Sequence, residues 1–364
     1  MSPSCNGCVT SVTGMAAAWA ATMVHPIQRL LSARLVALGS LTVLVALSLS
    51  GSGCGGGGGS TGAGGSGGGG SGNIGGSSSN GAPCTDASRV GTFTVELVED
   101  LITTSIGGGV RTAVHPGNVW QQIATAGDCR LIVGPSLVCS TACTNPQICA
   151  GQNQCIDEPR FRGVGDVTLT GLGSSPVAVT YAPLNSTYYV SLAAPYPPAA
   201  AGAAVTLTAA GGDLPGFTLA GRGISVLQFD TPPAVMRGQA AAITWVAPAQ
   251  PGSRVLASLD IAHHGGVAAR VECDFADDGS AEIPATMIDQ LIDRGTAGFP
   301  ELTLTRRTVD STTIAPGCVE FQIASVIPRE VTLCLSAGNC IISCVENSEC
   351  PTGQICRTDY KCGT

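Results

Sequence analysis

Beyond residue 88, apolar and polar residues alternate with a period of two in short runs rich in Val, Thr and Ile. GTFTVELVE (91–99), VTLTGL (167–172), TYYVSL (187–192), SVLQFD (225–230), SRVLASLDIA (253–262), ARVECDF (269–275), ELTLTRRT (301–308) and VEFQIASV (319–326) are of this kind. Successive side chains of a strand point to opposite faces, so such runs predict half-buried strands, and the Gly and Pro between them predict turns. The fold class this predicts is mainly β, with an antiparallel β-sandwich over residues 160–333. Residues 84–138 also read as β-rich, either a separate unit or part of the same sheet. Two stretches carry a helical period instead. In PATMIDQLIDRG (284–295), Met287, Ile288, Leu291 and Ile292 share a face and Gly295 stops the helix. In NVWQQIATAG (118–127), Asn118 caps, Trp120, Ile123 and Ala124 share a face and Gly127 closes, which predicts a second packing helix.

The N-terminal region follows another pattern. Residues 35–49 are an uncharged apolar run behind Arg29 and Arg34. A membrane-spanning helix needs about 20 residues, so this run is short for a span and suits a signal-peptide core. It ends at Gly51-Ser52-Gly53-Cys54, and residues 55–83 are almost wholly Gly, Ser, Asn, Ala and Thr. Such a composition cannot bury enough surface to offset the entropy of folding and predicts a disordered leash with a span of about 30 Å. Residues 1–22 precede a second candidate start at Met23, which makes 23–53 the signal peptide.

The cysteine pattern changes the picture further. The chain has 17 cysteines. Setting aside Cys5, Cys8 and Cys54 leaves an even set: Cys84, Cys129, Cys139, Cys143, Cys149, Cys155, Cys273, Cys318, Cys334, Cys340, Cys344, Cys350, Cys356 and Cys362. These are the disulfide candidates, and they imply an oxidising compartment. CTNPQICAGQNQC (143–155) and CPTGQICRTDYKC (350–362) align without gaps as C-x5-C-x5-C, each with Gln-Ile before the middle cysteine. They read as an internal repeat, extended upstream by Cys139 in one copy and Cys340 in the other, and define cysteine-rich modules at 139–159 and 334–364. With too few apolar residues for a core, the modules need crosslinks. Zinc ligands pair at shorter spacings, so zinc fits poorly. Position along the chain divides the cysteines into six (84–155), two (273 and 318) and six (334–362), and makes Cys273–Cys318 a candidate bridge. Connectivity within each six stays open.

The formal charge is −8. Of the charged residues only Arg29 and Arg34 precede Cys54, so a chain starting there is more acidic still. Phosphate backbones select basic faces, which argues against nucleic acid as a partner. No catalytic or cofactor signature is present. The G-x-S-x-G match at Gly58–Gly62 lies in the leash, where the strand and helix that motif requires cannot form. Three clusters remain. His263 and His264, near Asp260, precede Gly265-Gly266 and read as a strand end entering a hairpin, with an acid-base or metal role as the alternative; adjacent strand residues point apart and cannot chelate one ion together. DFADDGS (274–280) reads as an Asp-Gly hairpin turn, with a calcium loop as the alternative. Tyr188, Tyr189 and Tyr196 read as core or edge packing, with a sugar-stacking platform as the alternative.

Ser52-Gly53-Cys54 resembles the lipobox of bacterial lipoproteins, although Gly51 stands where that family usually has an aliphatic residue. The resemblance implies lipidation of Cys54 and a membrane held through the lipid, and Gly55, in place of the aspartate that favours inner-membrane retention, implies the outer membrane or cell surface. An ordinary signal peptide cut before Cys54 and an uncleaved anchor are the alternatives. Cys350–Cys356 matches in full the C-P-x-G-x-x-C core of small cysteine-rich modules of secreted proteins. With its leash and β-rich body, the whole chain resembles the lipoproteins of myxobacteria and similar bacteria, whose activities are mostly unassigned. The expectation is a non-enzymatic envelope lipoprotein, without a cofactor, that binds a surface protein or a glycan. A surface hydrolase using His263 or His264 with a nearby Asp, and a purely structural envelope component, are the rival readings.

Overall fold

The computed structural model describes residues 81–98, 102–173, 176–182, 187–192, 196–249, 251–262 and 268–364. The signal peptide, Cys54 and nearly all of the leash lie outside the described residues, as do His263 and His264. The chain opens with β1 (Arg89–Val98) and β2 (Thr103–Arg111), then β3 (Gln121–Ala126) and β4 (Cys129–Val133). A small hairpin follows, β5 (Gln147–Cys149) and β6 (Cys155–Asp157), and then β7 (Phe161–Arg162), β8 (Val167–Thr170), β9 (Val177–Val179), β10 (Tyr181–Ala182), β11 (Thr187–Leu192), β12 (Ala204–Ala209) and β13 (Phe217–Arg222). Next come β14 (Val235–Met236), β15 (Ala241–Thr244), β16 (Arg254–Asp260), β17 (Ala269–Ala276), β18 (Ser280–Ile283) and the helix α1 (Ala285–Ile292). The long pair β19 (Glu301–Ile314) and β20 (Gly317–Glu330) leads to β21 (Leu333–Ser336), β22 (Asn339–Ile341), β23 (Ile355–Cys356) and β24 (Cys362–Gly363).

The protein is mainly β, as the period-two pattern predicts. One large sheet runs β10-β11-β2-β1-β20-β19-β16-β17-β4-β3, with β7 on β2. It is mixed rather than purely antiparallel, because β1 lies parallel to β20. Residues 84–138 therefore supply four strands of the same sheet as the body. The sheet is covered on one face by two second layers. Under the β1–β2 half, Phe93, Val95 and Ile106 pack against Leu169, Leu207 and Leu219 of the four-stranded sheet β13-β12-β8-β9, giving a sandwich. Under the β16–β17 half, Val255, Leu259 and Val271 pack against Ile243 and Ile283 of the β15–β18 ribbon and against Met287, Ile288 and Leu291 of α1. Strand β20 serves both cores, with Val319, Phe321 and Ile323 in the first and Ile327 in the second.

Several expectations are corrected. The stretch 118–127 contains a strand, β3, where a helix is predicted: it pairs antiparallel with β4 through Gly127, whose φ is +56°, and Ile123 faces solvent. Its helical period is a coincidence of three residues, overridden because the hairpin completes the sheet beside a disulfide-bonded β4. SVLQFD (225–230) buries Leu227 and Phe229 without strand pairing. The helix at 285–292 forms with the four predicted residues buried. All fourteen candidate cysteines form disulfides: the six at 334–362 pair among themselves and so do four of the six at 84–155, but Cys84 and Cys129 pair outside their group and there is no Cys273–Cys318 bridge. Cys273 and Cys318 instead each take a partner from the first part of the chain: Cys84 bonds Cys318 and Cys129 bonds Cys273, the latter directly across β4 and β17. Sheet order sets these partners, and sheet order is not ordered as the sequence is.

The repeat survives in three dimensions. Cys139–Cys149 with Cys143–Cys155, and Cys344–Cys356 with Cys350–Cys362, are the same crossed pairing in two places. Each module is a short hairpin, β5–β6 or β23–β24, with its cysteines in register and a left-handed residue, Asn153 or Tyr360, two positions before the last cysteine. The counterpart of Cys139 is thus Cys344, not Cys340, which bonds Cys334 across β21 and β22.

Candidate functional site

On β19 the inward positions read Leu302, Leu304, Arg306, Thr308 and Asp310, so the strand turns polar halfway along its buried face. Arg306 sits opposite Ser325 of β20, where the two apolar cores meet. Its side chain is 1% exposed and that of Asp277 is 2% exposed. Arg306 Nε and Nη2 donate to the two carboxylate oxygens of Asp277 at 2.7 and 3.0 Å. The remaining donors go to Ser225 Oγ, the Val226 carbonyl and the Val246 carbonyl at 3.1, 3.0 and 2.6 Å. Asp277 also accepts from Trp245 Nε1 at 2.8 Å and Ser253 Oγ at 2.6 Å. Every guanidinium N–H is used, as a buried charge requires. A group so fully occupied holds architecture and offers nothing to a substrate.

The DFADDGS stretch is therefore split by its surroundings. Asp277 goes inward to Arg306. Asp274 pairs with Arg254 at 3.0 Å and Arg307 at 3.6 Å, and Asp278 accepts from the Ser280 N–H at 3.4 Å. The turn connects β17 to β18, which belong to different sheets, so it is a corner rather than the predicted hairpin. Among the described residues, the only groups of His, Cys, Asp or Glu with ligand atoms within 4.8 Å of one another are Cys139, Cys143 and Cys155, and Cys344, Cys350 and Cys362. All six sulfurs are in disulfides, which leaves no thiolate to ligate a metal.

The same corner borders an open groove of about 570 Å³, lined among others by Pro83, Arg254, Asp274, Asp278, Arg307 and Val309. It lies where β16 begins: β19 pairs with β20 from Glu301 to Ile314 but with β16 only from Glu301 to Arg307. Its rim is the start of the described chain, where Ser311 Oγ donates to the Ala82 carbonyl. Its basic residues are already engaged with Asp274.

Beside this rim the chain is fastened. The Cys84 N–H donates to Glu320 Oε2 at 3.0 Å, Arg89 Nε donates to the same oxygen at 3.0 Å, and Arg89 Nη2 donates to the Cys84 carbonyl at 2.9 Å. Glu320 is fully buried and also accepts from Gln322 Nε2. A second ion network, Arg130 and Arg270 on Glu272, continues to Trp120, over which Arg270 lies at 4.2 Å.

Elsewhere, His115 accepts from the Gly117 N–H through Nδ1, and burial followed by the nearby Arg111 charge holds its pKa below the ordinary histidine value. The tyrosines separate as strand alternation requires. Tyr188 is buried and bonds the Val164 N–H and the Gly165 carbonyl, whereas Tyr189 is 65% exposed. Asp260 closes a local turn by accepting from the Ala262 N–H, and β16 and β17 form the expected hairpin around the stretch that holds His263 and His264. Sequence reasoning missed Arg306, Glu320 and the fastening of Cys84. Arg306 was within reach, since it is in phase with Leu302 and Leu304. Compared with known protein families and with curated proteins, the sequence matches none.

Proposed function

We propose that this protein is an exported, lipid-tethered component of a bacterial envelope whose folded body binds a ligand and does not catalyse a reaction. The observation that carries the reading is the pairing of all fourteen cysteines after Cys54 into seven disulfides, two of them closing separations of 234 and 144 residues. Such a set forms in an oxidising compartment and not in a reducing cytosol. Of the three cysteines outside this set, Cys5, Cys8 and Cys54, it is Cys54, at the junction of apolar run and leash, that this reading assigns to acylation. The fastening of Cys84 supports the tether: a pull along the leash passes into β20 at the middle of the sheet, through the disulfide, before it loads β1. The engaged charges of the groove and of Arg306 favour binding over catalysis. The acidic balance disfavours nucleic acid, and Gly55 favours the outer membrane or cell surface.

The test is mass spectrometry of the N-terminal peptide of protein extracted from membranes, beside a Cys54→Ser variant. The expected result is an acylated peptide beginning at Cys54, with the variant released from the membrane fraction. An unmodified N-terminus at another residue would overturn the tether.

A further inference from the structure

The face of the large sheet opposite its core is closed at Glu320 by the Cys84 segment, but toward β11 it exposes Tyr189 and carries one feature that the fold does not require. Across β11, β2, β1 and β20, Tyr189, Gly107, Thr94 and Gln322 stand in one row, with Ser105 and Glu96 in the next. Residues paired across strands share a face. The opposite face of the same strands is core, with Tyr188, Ile106, Phe93 and Val95 all buried. Strands lie about 4.8 Å apart, so roughly 10 Å separates the Tyr189 and Thr94 positions with a bare glycine between them.

That glycine has no packing reason. At its neighbour Gly108 a Cβ would lie 2.5 Å from the Phe93 ring, so the core demands glycine there. At Gly107 a Cβ would meet nothing nearer than 3.7 Å, and one of those two neighbours is Cδ2 of Tyr189. Glycine inside a strand weakens it, and here the missing side chain leaves a low floor within van der Waals reach of the exposed Tyr189 ring. Glu96 is partly buried and has no hydrogen bond or ion pair among the described residues; burial raises its pKa above the usual carboxylate value. The nearest basic residue in its row, Arg307, lies two strands away across Ala324 and pairs with Asp274.

We infer that this row is a binding site for a neutral sugar, which deepens the non-catalytic binding role proposed above and rests on it. The apolar C–H face of a pyranose lies against the Tyr189 ring over the Gly107 floor, and its hydroxyls meet Thr94, Ser105 and Glu96 at the rim. An acidic group with no cation beside it among the described residues selects hydroxyl donors and disfavours acidic sugars and phosphates.

The test titrates the detergent-extracted full-length protein with cellohexaose, maltohexaose and mannohexaose, and with hexagalacturonate as the acidic control, by calorimetry and saturation-transfer NMR. At least one neutral hexaose is expected to bind, and hexagalacturonate is not. Tyr189→Ala should weaken binding roughly tenfold without changing the melting temperature, Tyr189→Trp should retain it, and Tyr360→Ala, at another exposed aromatic, should leave it unchanged. Gly107→Thr should raise or preserve the melting temperature while abolishing binding, a split that a purely structural glycine would not give. No binding of any neutral hexaose, preference for hexagalacturonate, or an affinity left unchanged by Tyr189→Ala would each overturn the site. Self-association lost on Tyr189→Ala would do so too, by assigning the face to a second copy. The N-terminal mass of the same preparation reports on the tether independently, so the site and the tether fail separately.

Discussion

Arg306 and Asp277 illustrate how much a single buried pair can decide. Their charges face each other where two apolar cores meet, and no water is needed to satisfy them. Arg306→Ala would strand Asp277 in the interior, and a loss of about 3–5 kcal/mol in thermal or denaturant unfolding is expected; the double change Arg306→Met with Asp277→Leu should recover part of it. Glu96 provides a test of opposite sign. Its folded-state pKa is raised by burial from the ordinary 4.5. The stability this group contributes is therefore full below 4.5 and lost as pH rises through the raised folded value. Glu96→Gln should accordingly raise the melting temperature at neutral pH and flatten its decline over that window, measured by melting curves from pH 4 to 8.

At the scale of elements, β3 and α1 present the same superficial signal with different outcomes. Both stretches place apolar residues at helical spacing. Only 285–292 buries all of them, and only there is the second layer of the β16–β17 core waiting for a helix. The other stretch instead continues into β4 through Gly127, whose left-handed conformation is open to solvent with nothing within 4 Å. Gly127→Val should cost about 1–2 kcal/mol from backbone strain alone, since no clash accompanies it. Retained stability in urea unfolding would show that the hairpin relaxes. The two modules are elements of another sort, held by crossed disulfides where no core exists. Their pairing was not legible because spacing within six cysteines permits many connectivities, whereas the hairpin registers Cys149 with Cys155 and Cys356 with Cys362 fix the neighbours.

For the whole molecule, the disulfides fall into two classes. Cys84–Cys318 and Cys129–Cys273 close long loops through the main sheet, and by loop entropy each is worth up to about 5 kcal/mol, against about 3 kcal/mol for the 12-residue separations within the modules. Replacing both cysteines of a long-range bridge by Ser should lower the melting temperature of the entire body. Replacing Cys350 and Cys362 should disorder the C-terminal module and leave the main transition in place, read by melting curves and by limited proteolysis at 344–364.

The sequence by itself determined the strand-rich class, the helix at 285–292, the repeat of the cysteine modules and the set of bonded cysteines. Each depends on local periodicity or on counting. Only the tertiary structure decided that β1 runs parallel to β20, that 118–127 extends as a strand, that Cys84 and Cys129 reach Cys318 and Cys273, and that Tyr189 faces out while Tyr188 faces in. Alternation predicts that adjacent tyrosines part, but not which one is buried. That choice, like strand order, follows from which face of the sheet finds a second layer to cover it, and the partners of that layer lie far away along the chain.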